Sequence, residues 1–183
     1  MLIFLDNNVW DFLFERRLDL SIELPSSEYK LAITREGEFE IAPIPDHKAE
    51  LKAFIAKTIA RCAVGTDTYF GFGGRSLPAN ERRFAGFGFG RFAQTEESKF
   101  IGEEVRRWKE LKVGAHQRKS KLFKHEADIS LGARSFHYVV VSLDDKPGPL
   151  TRARDAGGRV VFLTDFDASG LSLREFIERE SKV

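Results

Sequence analysis

Continuous apolar runs alternate along this chain with stretches whose apolar residues recur at helical spacing, and the alternation predicts the order of its elements. Leu2 to Leu5 reads as a buried strand that stops at Asp6. From Asn7 to Arg17, the residues Val9, Trp10, Leu13 and Phe14 fall on one side of a helix. A Pro25-Ser26-Ser27 turn leads to a short strand, Tyr29 to Ile33. Thr34 then stands as an N-cap before a short helix carrying Glu36, Glu38 and Glu40, which Pro43 and Pro45 end. Between Asp46 and Val64, the apolar residues Leu51, Phe54, Ile55, Ile59 and Cys62 recur on one helical face.

Beyond Gly65 the period is lost. Residues at about 65–94, GTDTYFGFGGRSLPANERRFAGFGFGRFAQ, are rich in Gly, Phe and Arg and read as an insertion. Helical spacing returns from Thr95 to Leu111, and a basic run, HQRKSKLFKH, leads into a further helix from about Glu126 to Phe136. HYVVVSLDDKPGP holds a second continuously apolar strand that again ends on acids, and GRVVFLTD supplies one more. LSLREFIERE reads as a last helix, with Ser172 as its cap and Glu175 three residues later. Strands alternating with helices predict an α/β fold around a parallel sheet.

The 183 residues, 42% of them hydrophobic, are enough for one domain, residues 1–183, carrying the insertion at about 65–94. Lys and Arg number 29 against 28 Asp and Glu, so the net charge is +1 and a nucleic-acid partner must be met by a local patch. Cys62 is the only cysteine, which excludes an internal disulfide and fits a reducing compartment. The apolar start is short for a signal-peptide core and lacks preceding basic residues, and no run approaches membrane-spanning length. The expectation is a soluble, cytoplasmic protein with no membrane partner.

In open α/β sheets ligands bind beyond the carboxyl ends of the strands, which directs attention to Asp6 and Asp144. If their strands are parallel neighbours, both carboxylates share one edge. Asp128 at a helix start and one of Glu36, Glu38 or Glu40 could join them. Clustered carboxylates repel one another, and a hard divalent cation such as Mg²⁺ relieves the repulsion. The chemistry this suggests is phosphodiester hydrolysis.

Four stretches, IFLDNN at the start, AITREGEFEI near residue 40, FKHEADISLGARS around Asp128 and VVVSLDDKPGPL around Asp144, together resemble the PIN-domain nucleases. They match that family's four acidic stations in order. The likeness spans roughly the first 60 residues and everything from about residue 95 onward. It implies a three-layer α/β/α sandwich with a central parallel sheet, to which the Gly/Phe/Arg-rich insertion is added. It further implies that Asp6, Glu40, Asp128 and Asp144 are the catalytic, metal-binding acids, with Glu36 or Glu38 as alternatives to Glu40 and Asp145 as the alternative to Asp144. Asn7, close to Asp6, and Ser142, where the family commonly carries Ser or Thr, are assigned to the site beside substrate. The activity implied is RNA hydrolysis with Mg²⁺ or Mn²⁺, as in the toxin half of a toxin-antitoxin pair, with an antitoxin protein and a second copy of the chain as partners.

Each acid also has a local explanation. Asp6-Asn7-Asn8 makes a serviceable strand-to-helix turn with an Asn cap, Asp144-Asp145 before Lys146-Pro147-Gly148 is good turn chemistry, and Asp128 in a first helical turn is favoured by the helix dipole. Only a shared site accounts for them jointly. Arg118, Lys119 and Lys121, just ahead of Asp128, read as candidates to line a substrate channel, with a solvated linker as the plainer reading. In the insertion, Phe70, Phe72, Phe84, Phe87, Phe89 and Phe92 are interleaved with Arg75, Arg82, Arg83 and Arg91. That pattern suits base stacking with phosphate contact, or equally a loop covering the core or a protein partner. The competing functional class is thus a catalytically silent PIN-like module that binds RNA or protein. A phosphoaspartyl phosphatase is disfavoured, because Asp6 is followed by Asn7-Asn8-Val9-Trp10 rather than by DxDxT. The four histidines show no zinc spacing.

Overall fold

A computed structural model describes residues 1–71, 82–110, 120 and 122–182. In chain order the strands and α-helices are β1 (Leu2–Leu5), α1 (Asn8–Arg16), α2 (Leu20–Glu23), β2 (Lys30–Thr34), α3 (Arg35–Ile41), α4 (Ala49–Arg61) and β3 (Gly65–Asp67). There follow α5 (Thr95–Glu110), α6 (Glu126–Arg134), β4 (Val139–Ser142), α7 (Pro149–Asp155), β5 (Val160–Phe162), α8 (Phe166–Ser169) and α9 (Leu173–Glu180). The five strands form one sheet in the order β3-β2-β1-β4-β5, and every pairing is parallel. Ile3 lies opposite both Leu31 and Val139, so the apolar runs are in register across the centre.

Successive strand side chains point to opposite faces, and that alternation builds two cores. On one face Ile3, Leu5, Leu31, Ile33, Val139, Val141 and Val161 pack with Trp10 and Leu13 of α1, Ile55 of α4 and Phe176 of α9. On the other, Phe4, Ala32, Val140, Val160 and Phe162 meet Phe100 of α5, Leu131 of α6 and Ala153 of α7. The result is the three-layer α/β/α arrangement expected from the sequence. Each fully buried Leu, Ile, Val or Phe contributes about 1.5–3 kcal/mol through removal from water.

Two caps behave as their residue types dictate. Thr34 Oγ1 accepts the Gly37 N–H at 3.0 Å at the head of α3. Ser172 and Glu175 exchange bonds in a capping box that starts α9. The differences from the sequence pattern are local. Gly65–Asp67, read from sequence as the opening of the insertion, pairs with Ala32–Thr34 as the edge strand β3. With no apolar run and little burial, it is defined by its ladder rather than by side-chain pattern. Pro149–Asp155 forms α7, where Pro149 needs no N–H partner and the Thr151 hydroxyl takes the Gly148 N–H at 2.9 Å.

Candidate functional site

β1 and β4 lie side by side at the middle of the sheet, with β2 on the far side of β1, so their C-terminal ends form the point where the strand order reverses. Asp6 stands there, 6% exposed, its own N–H bonded to the Val141 carbonyl at 3.0 Å. Three donors converge on its carboxylate. The Asn7 N–H reaches Oδ1 at 2.7 Å, while Asn8 Nδ2 and the Ser142 hydroxyl reach Oδ2 at 2.7 and 2.6 Å. Burial nevertheless pushes the Asp6 carboxyl up to about 6. The Ser142 and Asn7 bonds pull against that rise, and the negative charges of Asp128 and Glu40 add to it.

Each neighbour is held by a second contact. Ser142 Oγ also accepts the Asp144 N–H at 3.0 Å, and Asn8 Oδ1 takes the Leu143 N–H at 3.0 Å, tying the end of β4 to the start of α1. Asn7 makes no side-chain cap bond to α1. Its Nδ2 donates instead to the Gly37 carbonyl at 3.0 Å and to Glu40 Oε2 at 2.8 Å, fastening α3 to the β1–α1 turn. The cap reading of Asn7 fails because its amide is committed to a residue thirty-three positions away.

The three glutamates of α3 take different surroundings. Glu36 is buried and accepts the Ser130 hydroxyl at 2.6 Å. Glu38 pairs with Arg35 and accepts the Thr66 hydroxyl at 3.0 Å. Glu40 is the one bonded to Asn7. In the first turn of α6, His125 Nδ1 lies 3.0 Å from Asp128 Oδ2. Asp144 and Asp145 are exposed, and Asp144 Oδ1 accepts the Lys146 N–H within its own loop at 3.4 Å. Asp128 and Glu40 therefore each lie within electrostatic reach of Asp6, while Asp144 faces solvent in the loop that follows β4. Arg118, Lys119 and Lys121 lie outside the described residues, as do Phe72 and Arg75.

Among the described residues no three His, Cys, Asp or Glu side chains stand close enough to hold one metal ion together. The donors present are carboxylate oxygens, and the like charges raising Asp6 are what a cation relieves. Such a set fits a hard divalent ion that takes one or two carboxylates and keeps its remaining ligands as water; it does not fit an all-protein cage.

Sequence reasoning passed over a buried polar chain that starts at this site. From Glu36 and Ser130 it continues to Arg134, fully buried, which donates to Ser130 Oγ at 2.6 Å and Asp67 Oδ2 at 2.7 Å. Arg91 then joins Asp67 at 3.0 Å and Glu97 at 2.5 Å. Arg91, near the end of the insertion, is thus fastened to β3 and α5. Arg83 pairs with Glu126. Both guanidinium groups are committed to acids of the fold rather than left for phosphate. The spacing of Ser130 and Arg134, one helical turn apart, is the only trace of this chain in the sequence.

No family model matches the chain, and no curated protein matches it. Among solved structures it is similar to one described as the crystal structure of VapBC2 from Rickettsia felis bound to a DNA fragment from their promoter, at 10% identity and a TM-score of 0.43. The match covers 80% of this chain and 90% of that one. A likeness of that size carries no argument about function.

Proposed function

We propose that the chain is a PIN-like, metal-dependent endoribonuclease. The observation that carries this reading is the buried Asp6 carboxylate at the sheet's reversal point, held by three donors and raised toward neutrality chiefly by burial, to which Asp128 and Glu40 add. A group kept ionisable at such cost is more readily explained by a function than by a turn. One or two of the carboxylates Asp6, Glu40 and Asp128 would hold Mg²⁺ or Mn²⁺, its remaining ligands being water, with Asp144 in its exposed loop as the fourth acid of this reading. When bound, the ion supplies polarisation of the scissile phosphate and a water acidic enough to attack it. Ser142 and Asn8 orient Asp6, Asn7 orients Glu40, and His125 orients Asp128. Arg118, Lys119 and Lys121 carry the phosphate-binding role in this reading. An antitoxin partner belongs to it through the motif resemblance alone.

The exposure of Phe87, Phe89 and Phe92, at 78%, 88% and 72%, favours a second reading, a catalytically silent module that binds RNA or protein through the insertion. One experiment separates the two. A pool of structured and single-stranded RNA is incubated with wild type, with wild type plus EDTA, and with Asp6→Asn/Asp144→Asn. Metal-dependent cutting that the double variant loses while still shifting RNA supports the nuclease. RNA or protein binding without cutting in any lane supports the module.

A further inference from the structure

Where α5, the head of α6 and the loop before α7 meet, they enclose a cavity of about 220 Å³. Lys124 and His125 line it from the turn that precedes Asp128, and Pro147 and Gly148 from the loop that follows Asp144. Arg107 of α5 and Arg152 of α7 complete its basic wall. Glu104, 4% exposed, is the only acid lining it among the described residues. That carboxylate is spent on the arginines: Arg152 donates to its two oxygens at 2.8 and 2.5 Å, and Arg107 Nε stands 3.6 Å from Oε1. Lys124 is exposed and makes no ion pair with any described residue. Three cations thus face one carboxylate, which leaves a surplus of positive charge. His125 joins this wall to the acid site, its Nδ1 lying 3.0 Å from Asp128 Oδ2.

We propose that this cavity holds a phosphate of the RNA backbone beside the one at the acids, with Lys124 and Arg107 as the cations that meet it. The inference rests on the nuclease reading and gives a phosphate role to residues outside the basic run that precedes them. At about 220 Å³ the space falls below the roughly 300–1,000 Å³ of small-ligand pockets, so it suits one compact group rather than a base or a whole nucleotide. Its surplus charge selects an anion, and a phosphodiester is the anion that an RNA strand presents at every step. An ion pair stapling α5 to α7 needs only Glu104 and Arg152; Lys124 and Arg107 go beyond that structural requirement. The placement agrees, because the two segments that border the cavity are those that carry Asp128 and Asp144. Phosphate contacts of this kind set the register of a strand without reading its sequence.

The test needs neither metal nor catalysis. Labelled single-stranded oligouridylate and oligoadenylate are titrated with the full-length protein in EDTA at several KCl concentrations, with fluorescence anisotropy as the readout. Wild type is compared with Lys124→Gln, Arg107→Gln and the two combined. Arg106→Gln and Lys109→Gln are the controls, exposed cations of α5 that do not line the cavity. The combined variant should lower the steepness of log affinity against log salt by about 0.7, the share of one phosphate contact on a single strand. Each single variant should show part of that change, and if one fails to fold the other decides. The loss should be equal for both oligomers, since a phosphate carries no base identity. The controls should keep the wild-type steepness. Wild-type steepness in the combined variant, an equal fall in the controls, or no RNA bound by wild type overturns the proposal. So does oligoglutamate that wild type binds and the combined variant loses while RNA binding is unaffected, which assigns the cavity to an acidic protein segment. Cleavage with Mn²⁺ alongside unchanged steepness removes the cavity assignment and leaves the nuclease reading; a lowered steepness without cleavage does the reverse.

Discussion

Asp6 sets three hydrogen bonds against burial and two like charges, and the balance has a measurable pH signature. In the unfolded chain it ionises near its ordinary 3.8, and in the folded chain at about 6. Between those values the folded state keeps a proton that the unfolded chain has released. Its contribution to stability is therefore fully present below the lower value, falls as pH rises, and is lost above the higher one. A shift of this size corresponds to about 3 kcal/mol. Urea unfolding of wild type and Asp6→Asn in EDTA isolates the effect from the other acids. From about pH 4 to about pH 7 the comparison should move by about 2 kcal/mol in favour of the variant, the rest of the shift falling below pH 4. A gap that stays constant would mean that Asp6 ionises normally in the folded protein. At this scale the sequence was legible in part. The abrupt strand end marked Asp6, but the local reading of Asn7 as a cap missed its bond to Glu40, since a short amide binds whatever the fold brings within 3 Å.

At the scale of elements, α6 is the connector. Its Ser130 and Arg134 reach Glu36 on α3 and Asp67 on β3, and its Gly132 lets the Phe100 ring of α5 approach so closely that an added Cβ would lie 2.9 Å from it. Arg134→Met should cost about 1–3 kcal/mol in urea unfolding, because it removes the buried charged donor of Ser130 and leaves Asp67 to Arg91 alone. Arg134→Lys should recover little, since a point charge cannot reproduce the guanidinium fork. A loss below about 1 kcal/mol for the Met variant would show that water replaces the arginine at little cost. The long apolar strands and the capped helix α9 were readable because period and caps are local. β3 and the buried arginine were not, because a three-residue edge strand and a paired charge exist only through partners far along the chain.

For the molecule as a whole, the insertion is the part that neither core absorbs. Arg91 fastens it to Asp67 and Glu97, while Phe87, Phe89 and Phe92 remain largely exposed. Phe89→Ser should therefore leave stability within about 0.5 kcal/mol of wild type by urea unfolding, as for other surface substitutions. A larger loss that grows with protein concentration would mean that a second copy covers the ring. None of the helices among the described residues is long and apolar enough to cross a membrane. By itself the sequence determined the alternation of strands and helices, their parallel pairing and the acids at strand ends, because hydrophobic period and turn chemistry are written within a few residues. The tertiary structure alone decided the strand order, which puts β1 beside β4, and the company of each acid. Glu40 meets Asn7, Glu36 meets Ser130, Asp128 meets His125 and Asp144 meets solvent. Those choices depend on which faces pack against one another across the sheet, and such contacts between distant segments leave no local pattern for a sequence to display.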